Sequence, residues 1–342
     1  MKGRLSIAAG LVVGLLLIWL AFRGVDVSRL PRIVARADLA VVFPVFLVTM
    51  LELFFRSLRW KLLLAPSKPV KLRDAVRLES AALALSNILP LRLGEAARGT
   101  YGAALFELPM STVFSSMLVE RAMDAAVLTL LFLLAVPLAG PAAGLGVSGW
   151  LWALPAGLAA ALAALAFAEK ASGTSLFRVI RTRFPRLSGA LRHLPQGAAA
   201  LRKPGSAAAV TILAVLQWLM DALNLYLIAG AFGIAGTIGA VRSVELLFTS
   251  AVAVSIPGVP GYFGNLEFAV SKVAAVWGVP ADTAFAYAAF SHLLNYLIFT
   301  GVGLIFVYGM GQSLGRVWAS FGRNGARKTP GGIMEQGEKN AV

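Results

Sequence analysis

The sequence predicts an all-α, polytopic membrane protein with about six spans plus two re-entrant, broken-helix hairpins arranged as an inverted repeat. Three observations predict it. Of 342 residues, 58% are hydrophobic and 14% charged, with mean hydropathy +0.79, which lies outside the range of soluble globular chains. Several apolar runs reach the roughly 18–20 residues a helix needs to cross the hydrocarbon core. Two short stretches, Asn87–Glu95 and Ser255–Glu267, place Pro and Gly inside apolar sequence about 170 residues apart. Broken apolar helices at matching places in two halves are how transporters build a site at bilayer depth.

The elements follow in order. Six runs read as spans, at roughly 5–22, 39–56, 112–137, 150–168, 208–230 and 282–308. Lys2 and Arg4 precede the first, whose length and lack of a clean cleavage site favour an uncleaved span over a signal peptide. Two further apolar regions, about 76–108 and 243–278, carry the interruptions and do not read as single crossings. With a cytoplasmic N-terminus and each interrupted region returning to its own side, 22 bases fall inside, while connections 138–149 and 230–241 carry none. The positive-inside rule favours that arrangement; only Arg23, Arg29, Arg32 and Arg36 dissent. Repeats at about 5–137 and 150–308 are then inverted copies within one transmembrane domain, 1–310. Residues 311–342 read as a flexible cytoplasmic tail. The basic loop 169–206, with interleaved apolar residues, reads equally as an interfacial helix or a solvated loop.

Composition also excludes. No cysteine is present, which removes disulfides and thiol chemistry. His193 and His292 lie about 100 residues apart, outside any metal-ligand spacing, and neither a metal nor a cofactor is expected. The net charge of +15 belongs to loops facing anionic headgroups, so membrane lipids rather than nucleic acid are the expected partners. A homo-oligomer and a cytoplasmic enzyme partner both stay open.

Candidate site residues cluster at the interruptions and at charges within spans. Asn87, Pro90 and Gly94 break the first hairpin; Pro257, Gly258, Pro260, Gly261 and Gly264 break the second. Freed amides at half-helix ends attract anions. Arg92 and Arg98 flank Glu95, an anion site with its own counter-charge or a turn whose charges face water. Asn265 and Glu267 follow the second break, where Glu267 suits a helix N-terminus, as transport residue or plain cap. Within a span, Glu120 and Asp124 share a face, and Arg121 can pair with Asp124, as a functional polar core or a structural ion pair. Asp221 and Asn224 lie deeper, with Arg98 or Arg121 as candidate partners for Asp221. Glu52 and Arg56 form an i, i+4 pair. Arg56, Arg59 and Trp60 suit an interfacial anchor, with headgroup contact as the second reading.

Together, Arg56-x-x-Arg59-Trp60, Asn87-x-x-Pro90-x-Arg92-x-Gly94-Glu95-x-x-Arg98, Glu120-Arg121-x-x-Asp124 and the Pro257–Gly261 stretch leading to Glu267 resemble the transmembrane region of lysylphosphatidylglycerol synthases, the flippase-like domain proteins. The resemblance covers about 5–310. It implies a multi-pass bacterial inner-membrane protein, with cytoplasmic termini by the charge count, that moves or binds phospholipid or polyprenyl-linked lipids. Members that aminoacylate lipid carry a large soluble domain after the membrane region, and some 30 tail residues cannot supply one, so no lysyltransferase activity is expected. A translocated headgroup would meet Arg92, Arg98 and Arg121, with Glu95, Glu120, Asp124 and Glu267 as counter-charges or proton carriers. No G-x-x-x-x-G-K-[ST] is present, which points to facilitated or ion-coupled movement. Two other readings stay open: a membrane-embedded transferase on lipid-linked sugars, and a non-transporting membrane partner of a cytoplasmic enzyme.

Overall fold

The computed structural model describes residues 2–89, 93–139, 194–256 and 259–310, with the isolated positions 157 and 160, and side chains from residue 12 onward. The span expected at 150–168, most of the basic loop, the tail 311–342, and Pro90, Arg92, Pro257 and Gly258 lie outside the described residues. Within them every element is helical. Helix α1 covers Lys2–Phe22, α2 Leu30–Arg36, α3 Val42–Leu64, α4 Leu72–Ile88, α5 Leu93–Phe106 and α6 Met110–Leu138. After the undescribed stretch come α7 Leu194–Gly197, α8 Pro204–Ala231, α9 Ala235–Ser255, α10 Asn265–Val276 and α11 Ala281–Gly309.

Local chemistry sets the boundaries. Leu89, preceding Pro90, ends α4 in extended backbone at φ −92°, ψ 143°, as steric clash with a following proline demands. Pro204 occupies the first turn of α8, where its missing N–H costs nothing. Pro109 and Pro280 sit at the N-caps of α6 and α11. Asp26 and Asp38 accept from the Ser28 and Ala40 amides and start short 3-10 turns that lead into α2 and α3.

Five stretches among the described residues are long and apolar enough to span a membrane: Leu39–Leu64, Met110–Leu138, Pro204–Ala231, Ala235–Ser255 and Ala281–Gly309. Four match expected spans, although the second runs on to Leu64. The fourth is a correction. The first arm of the second interrupted region starts at Ala235 rather than near 243 and is itself long enough to cross, though Gly239 breaks its start at φ 56°, ψ 172°.

Packing joins the two halves in antiparallel register. The Asp38 amide donates to the Ala231 carbonyl at 3.1 Å, and Asn224 Nδ2 donates to Thr49 Oγ1 at 3.1 Å. Facing residues of α3 and α8 therefore have numbers adding to about 270, which places Glu52 opposite Asp221. Those two residues are also 169 apart in sequence. Helix α4 also packs on α11, and α6 on α9. In the first pair Asn87 Nδ2 donates to Thr300 Oγ1 at 3.1 Å; in the second Phe132 stacks on Phe248 at 4.1 Å.

Each hairpin folds back on itself. Ala75 and Leu78 of α4 share a buried cluster with Ala103 and Phe106 of α5, and at the base Lys68 Nζ lies 2.6 Å from Glu107 Oε2. That ammonium donates to the exposed Glu107 carboxyl and holds its pKa below the ordinary value. Gly94 lets α5 press onto α4, since a Cβ there would collide with the Ala82 carbonyl and Ser86. Gly303 does the same for α11 against Ser80. Helix α1 covers the second break: a Cβ on Gly14 would lie 2.8 Å from Val259 Cγ1, and one on Gly264 would lie 2.6 Å from the Gly14 carbonyl.

Candidate functional site

The site grows from helical spacing. On α3, Thr49, Glu52, Arg56 and Arg59 fall at i, i+3, i+7 and i+10, one stripe of an otherwise apolar helix. All four side chains are buried. Helix α4 adds Glu79, α5 adds Glu95 and Arg98, α6 adds Glu120, Arg121 and Asp124, and α8 adds Gln217, Trp218, Asp221 and Asn224. Hairpin closure brings Glu79 and Arg98 together, and α3 and α6 flank them.

The result is a ladder of alternating charge. Arg56 lies 3.6 Å from Glu52 and 3.2 Å from Glu79. Glu79 lies 2.7 Å from Arg98, which reaches Glu120 at 2.6 Å. Glu120 accepts from Arg59 at 3.3 Å, and Arg59 donates to Asp124 at 2.6 Å. Asp124 meets Arg121 at 3.4 Å, and Arg121 meets Glu95 at 3.5 Å. Trp218 Nε1 also donates to Asp124 at 3.2 Å. The Arg98 guanidinium lies 4.0 Å over the Trp60 ring, whose Nε1 donates to Ser116 Oγ.

Burial is steepest at the centre. Arg59 and Glu120 are 0% exposed and Arg98 2%, whereas the side chains of Glu95 and Arg121 are each 36% exposed and form the rim. Each buried ion costs several kcal/mol of desolvation, offset only when its geometry is well satisfied. Arg98 and Arg59 each meet two carboxylates, although the Nε of each makes no hydrogen bond among the described residues.

Several expectations change here. Arg56, Arg59 and Trp60 are not an interfacial anchor, because all three side chains are buried inside the protein; they form the wall of the ladder. Asp221 meets neither Arg98 nor Arg121. The groups acting on it are Arg56, Glu52 and Asp124. Arg98 is enclosed by Glu79 and Glu120 rather than open to a headgroup. The pairings Glu52–Arg56 and Arg121–Asp124 form as their spacing predicts.

The second hairpin is built differently. Asn265 Nδ2 donates to the Ala253 carbonyl at 3.1 Å and the Ile256 carbonyl at 2.9 Å, tying the ends of the break together. Glu267 caps α10 by accepting from the Gly264 amide at 2.7 Å, and its other oxygen lies 2.6 Å from His292 Nδ1. Phe263 and Tyr296 ring that histidine, with centroids 4.7 Å and 6.4 Å from it. The break needs left-handed backbone at Gly261 (φ 77°), Tyr262 (φ 62°) and Gly264 (φ 90°). Asn87 sits on α4, bonded to α11 rather than to the ladder.

Sequence reasoning missed Glu79, Gln217, Trp218 and the partnership of His292 with Glu267. It also missed Glu245, fully buried on α9 with neither carboxylate oxygen hydrogen-bonded among the described residues. Glu245 follows Glu79 by 166 residues, so it occupies the equivalent place in the second half. The i, i+4, i+7 spacing of Gln217, Asp221 and Asn224 was an available signal.

Two halves of membrane-spanning helices, each holding a folded-back hairpin and one lined by buried ion pairs, define a multi-pass helical membrane domain. The chain belongs to the lysylphosphatidylglycerol synthase TM region family, whose pattern matches residues 7–303. A UPF0104 membrane protein of Methanothermobacter thermautotrophicus is 26% identical over 311 residues, covering 86% of this chain and 90% of the relative. No solved structure matches the chain.

Proposed function

We propose that the protein moves an amphipathic lipid between the leaflets of a bacterial inner membrane, with both termini cytoplasmic. The observation that carries this reading is the charge ladder, which runs from the fully buried centre to the half-exposed Glu95–Arg121 rim of a hairpin. Ionisable groups inside membrane helices are costly and by default mark a substrate or ion path. The rim offers a guanidinium and a carboxylate, so it can meet the phosphate of a lipid headgroup and a cationic substituent on it. The headgroup would pass along the hairpin while the tails stay in the bilayer. The Gly- and Pro-bearing turn at 259–264, packed against α1, serves as the gate. Family membership supports a membrane role shared with proteins of lipid metabolism.

Reconstitution in liposomes tests it, following headgroup-labelled anionic and polyprenyl lipids by dithionite quenching. Wild-type protein should scramble at least one class faster than protein-free liposomes. A Glu95→Gln, Arg121→Ala variant should lose most of that rate while eluting as native protein. No acceleration across the panel sinks the reading.

A further inference from the structure

The ladder alternates acid and base from Glu95 inward until its last step. Beyond Arg56 comes Glu52, and the α3–α8 register fixed by the Asn224–Thr49 and Asp38–Ala231 hydrogen bonds sets a second acid, Asp221, opposite it. Two ionised carboxylates have no hydrogen to share. Glu52 is 1% exposed, and its Oε2 has no hydrogen-bond donor among the described residues. On the facing α8, both amide atoms of Gln217 and Asn224 Oδ1 are also buried with no hydrogen-bond partner among the described residues. Across the whole cluster, six acids (Glu52, Glu79, Glu95, Glu120, Asp124 and Asp221) face four arginines (Arg56, Arg59, Arg98 and Arg121).

We propose that Glu52 and Asp221 are a proton-binding pair at the α3–α8 crossing, holding one proton between their carboxyls. Proton uptake from water turns the facing oxygens into a donor and an acceptor and removes one of the two surplus negative charges. Release restores two like charges across the interface of the two halves and pushes α3 from α8. Asp221 is only partly buried, so the proton enters from its side. The charged groups bearing on the pair are Arg56 from α3, Glu79 from α4 and Asp124 from α6, with Arg59, Arg98 and Glu120 one step farther along the ladder. From α11 the Tyr287 hydroxyl donates to the Leu225 carbonyl and leaves the pair alone. That this proton drives lipid movement rests on the function proposed above; the site itself does not.

The test is infrared spectroscopy of the purified full chain in lipid, reading the C=O stretch of protonated carboxyls in H2O and D2O. At neutral pH the wild type should show a buried protonated carboxyl that shifts in D2O and disappears on alkaline titration. Glu52→Gln and Asp221→Asn should each abolish it, and Glu95→Gln should keep it. Where neither amide variant elutes as a single species, wild-type protein labelled with 13C-glutamate or 13C-aspartate decides: one label must shift the band. Absence of the band in wild type, or its survival in both amide variants, overturns the pair. Sodium-dependent thermal stabilisation without the band makes the crossing a sodium site and also overturns it. In liposomes, a band with no lipid movement defeats the transport reading alone. Lipid movement without the band defeats the proton pair alone.

Discussion

At the scale of residues, the ladder distinguishes charges that hold the fold from charges free to act. Arg98 ties α5 to Glu79 and Glu120 with neither end open. Arg98→Ala strips one of two guanidiniums from each buried carboxylate, leaving Glu79 only Arg56 and Glu120 only Arg59, and breaking buried pairs of this kind costs about 3–5 kcal/mol. Thermal unfolding in detergent should register it as a large fall in melting temperature, and Arg98→Lys should recover only part, because an ammonium cannot bridge two carboxylates in the fork geometry. Glu95→Gln removes only a half-exposed pair, worth roughly 0–1 kcal/mol, and should leave the melting temperature nearly unchanged. Equal losses in the two variants would contradict the division. Exposed Glu107 gives the pH counterpart. Its carboxyl is depressed by the hydrogen bond and charge of Lys68, so the pair's stabilisation is present above the ordinary glutamate value of about 4.3 and fades as pH falls through the lower native value. A carbon-13 titration of Glu107 should show that depression, and Lys68→Ala should move the pKa back up.

At the scale of elements, close packing depends on glycine where two backbones touch. Gly94→Ala places a methyl against the Ala82 carbonyl and Ser86, and overpacking of this kind costs about 1–3 kcal/mol. Because it separates α5 from α4, it should also pull Arg98 off Glu79. In a double-mutant cycle with Glu79→Gln, a melting-temperature loss smaller than the sum of the two single losses would measure that coupling. The hairpins themselves were legible in the sequence, because Pro and Gly inside apolar runs leave few alternatives at bilayer depth. The partners of their residues were not. Arg56, Arg59 and Trp60 have the composition of an interfacial anchor, and only the docking of α5 and α6 shows them buried. Glu79 went unnoticed because a lone carboxylate in an amphipathic stretch looks like an exposed one. His292 was weighed only as a metal ligand, although its position on α11 opposite Glu267 is what matters.

At the scale of the molecule, the two halves share an architecture and divide the chemistry. Arg98 on α5 reaches Glu120 on α6, and the equivalent α10 residue, Glu267, reaches His292 on α11. The first half thus holds most of the ladder, and the second sets a carboxylate–imidazole pair beside a break that α1 covers. Charge counting placed Arg56 and Arg59 among the inside bases, yet both are buried in the ladder, leaving 20 of the 22 to set orientation. In the dissenting outer loop Arg29 pairs with Asp26 at 3.0 Å and Asp282 at 3.6 Å, but acids count little in the positive-inside rule, so its bases still dissent. The inverted topology proposed from the charge count has a direct consequence. The base of the first hairpin, beside Ser67, should face the cytoplasm, and the base of the second, beside Ala281, the opposite side. The chain has no cysteine, and both positions are exposed, so Ser67→Cys and Ala281→Cys are clean single probes. In sealed right-side-out vesicles, a membrane-impermeant maleimide should label residue 281 and reach residue 67 only after permeabilisation. Labelling of both from one side would break the inversion.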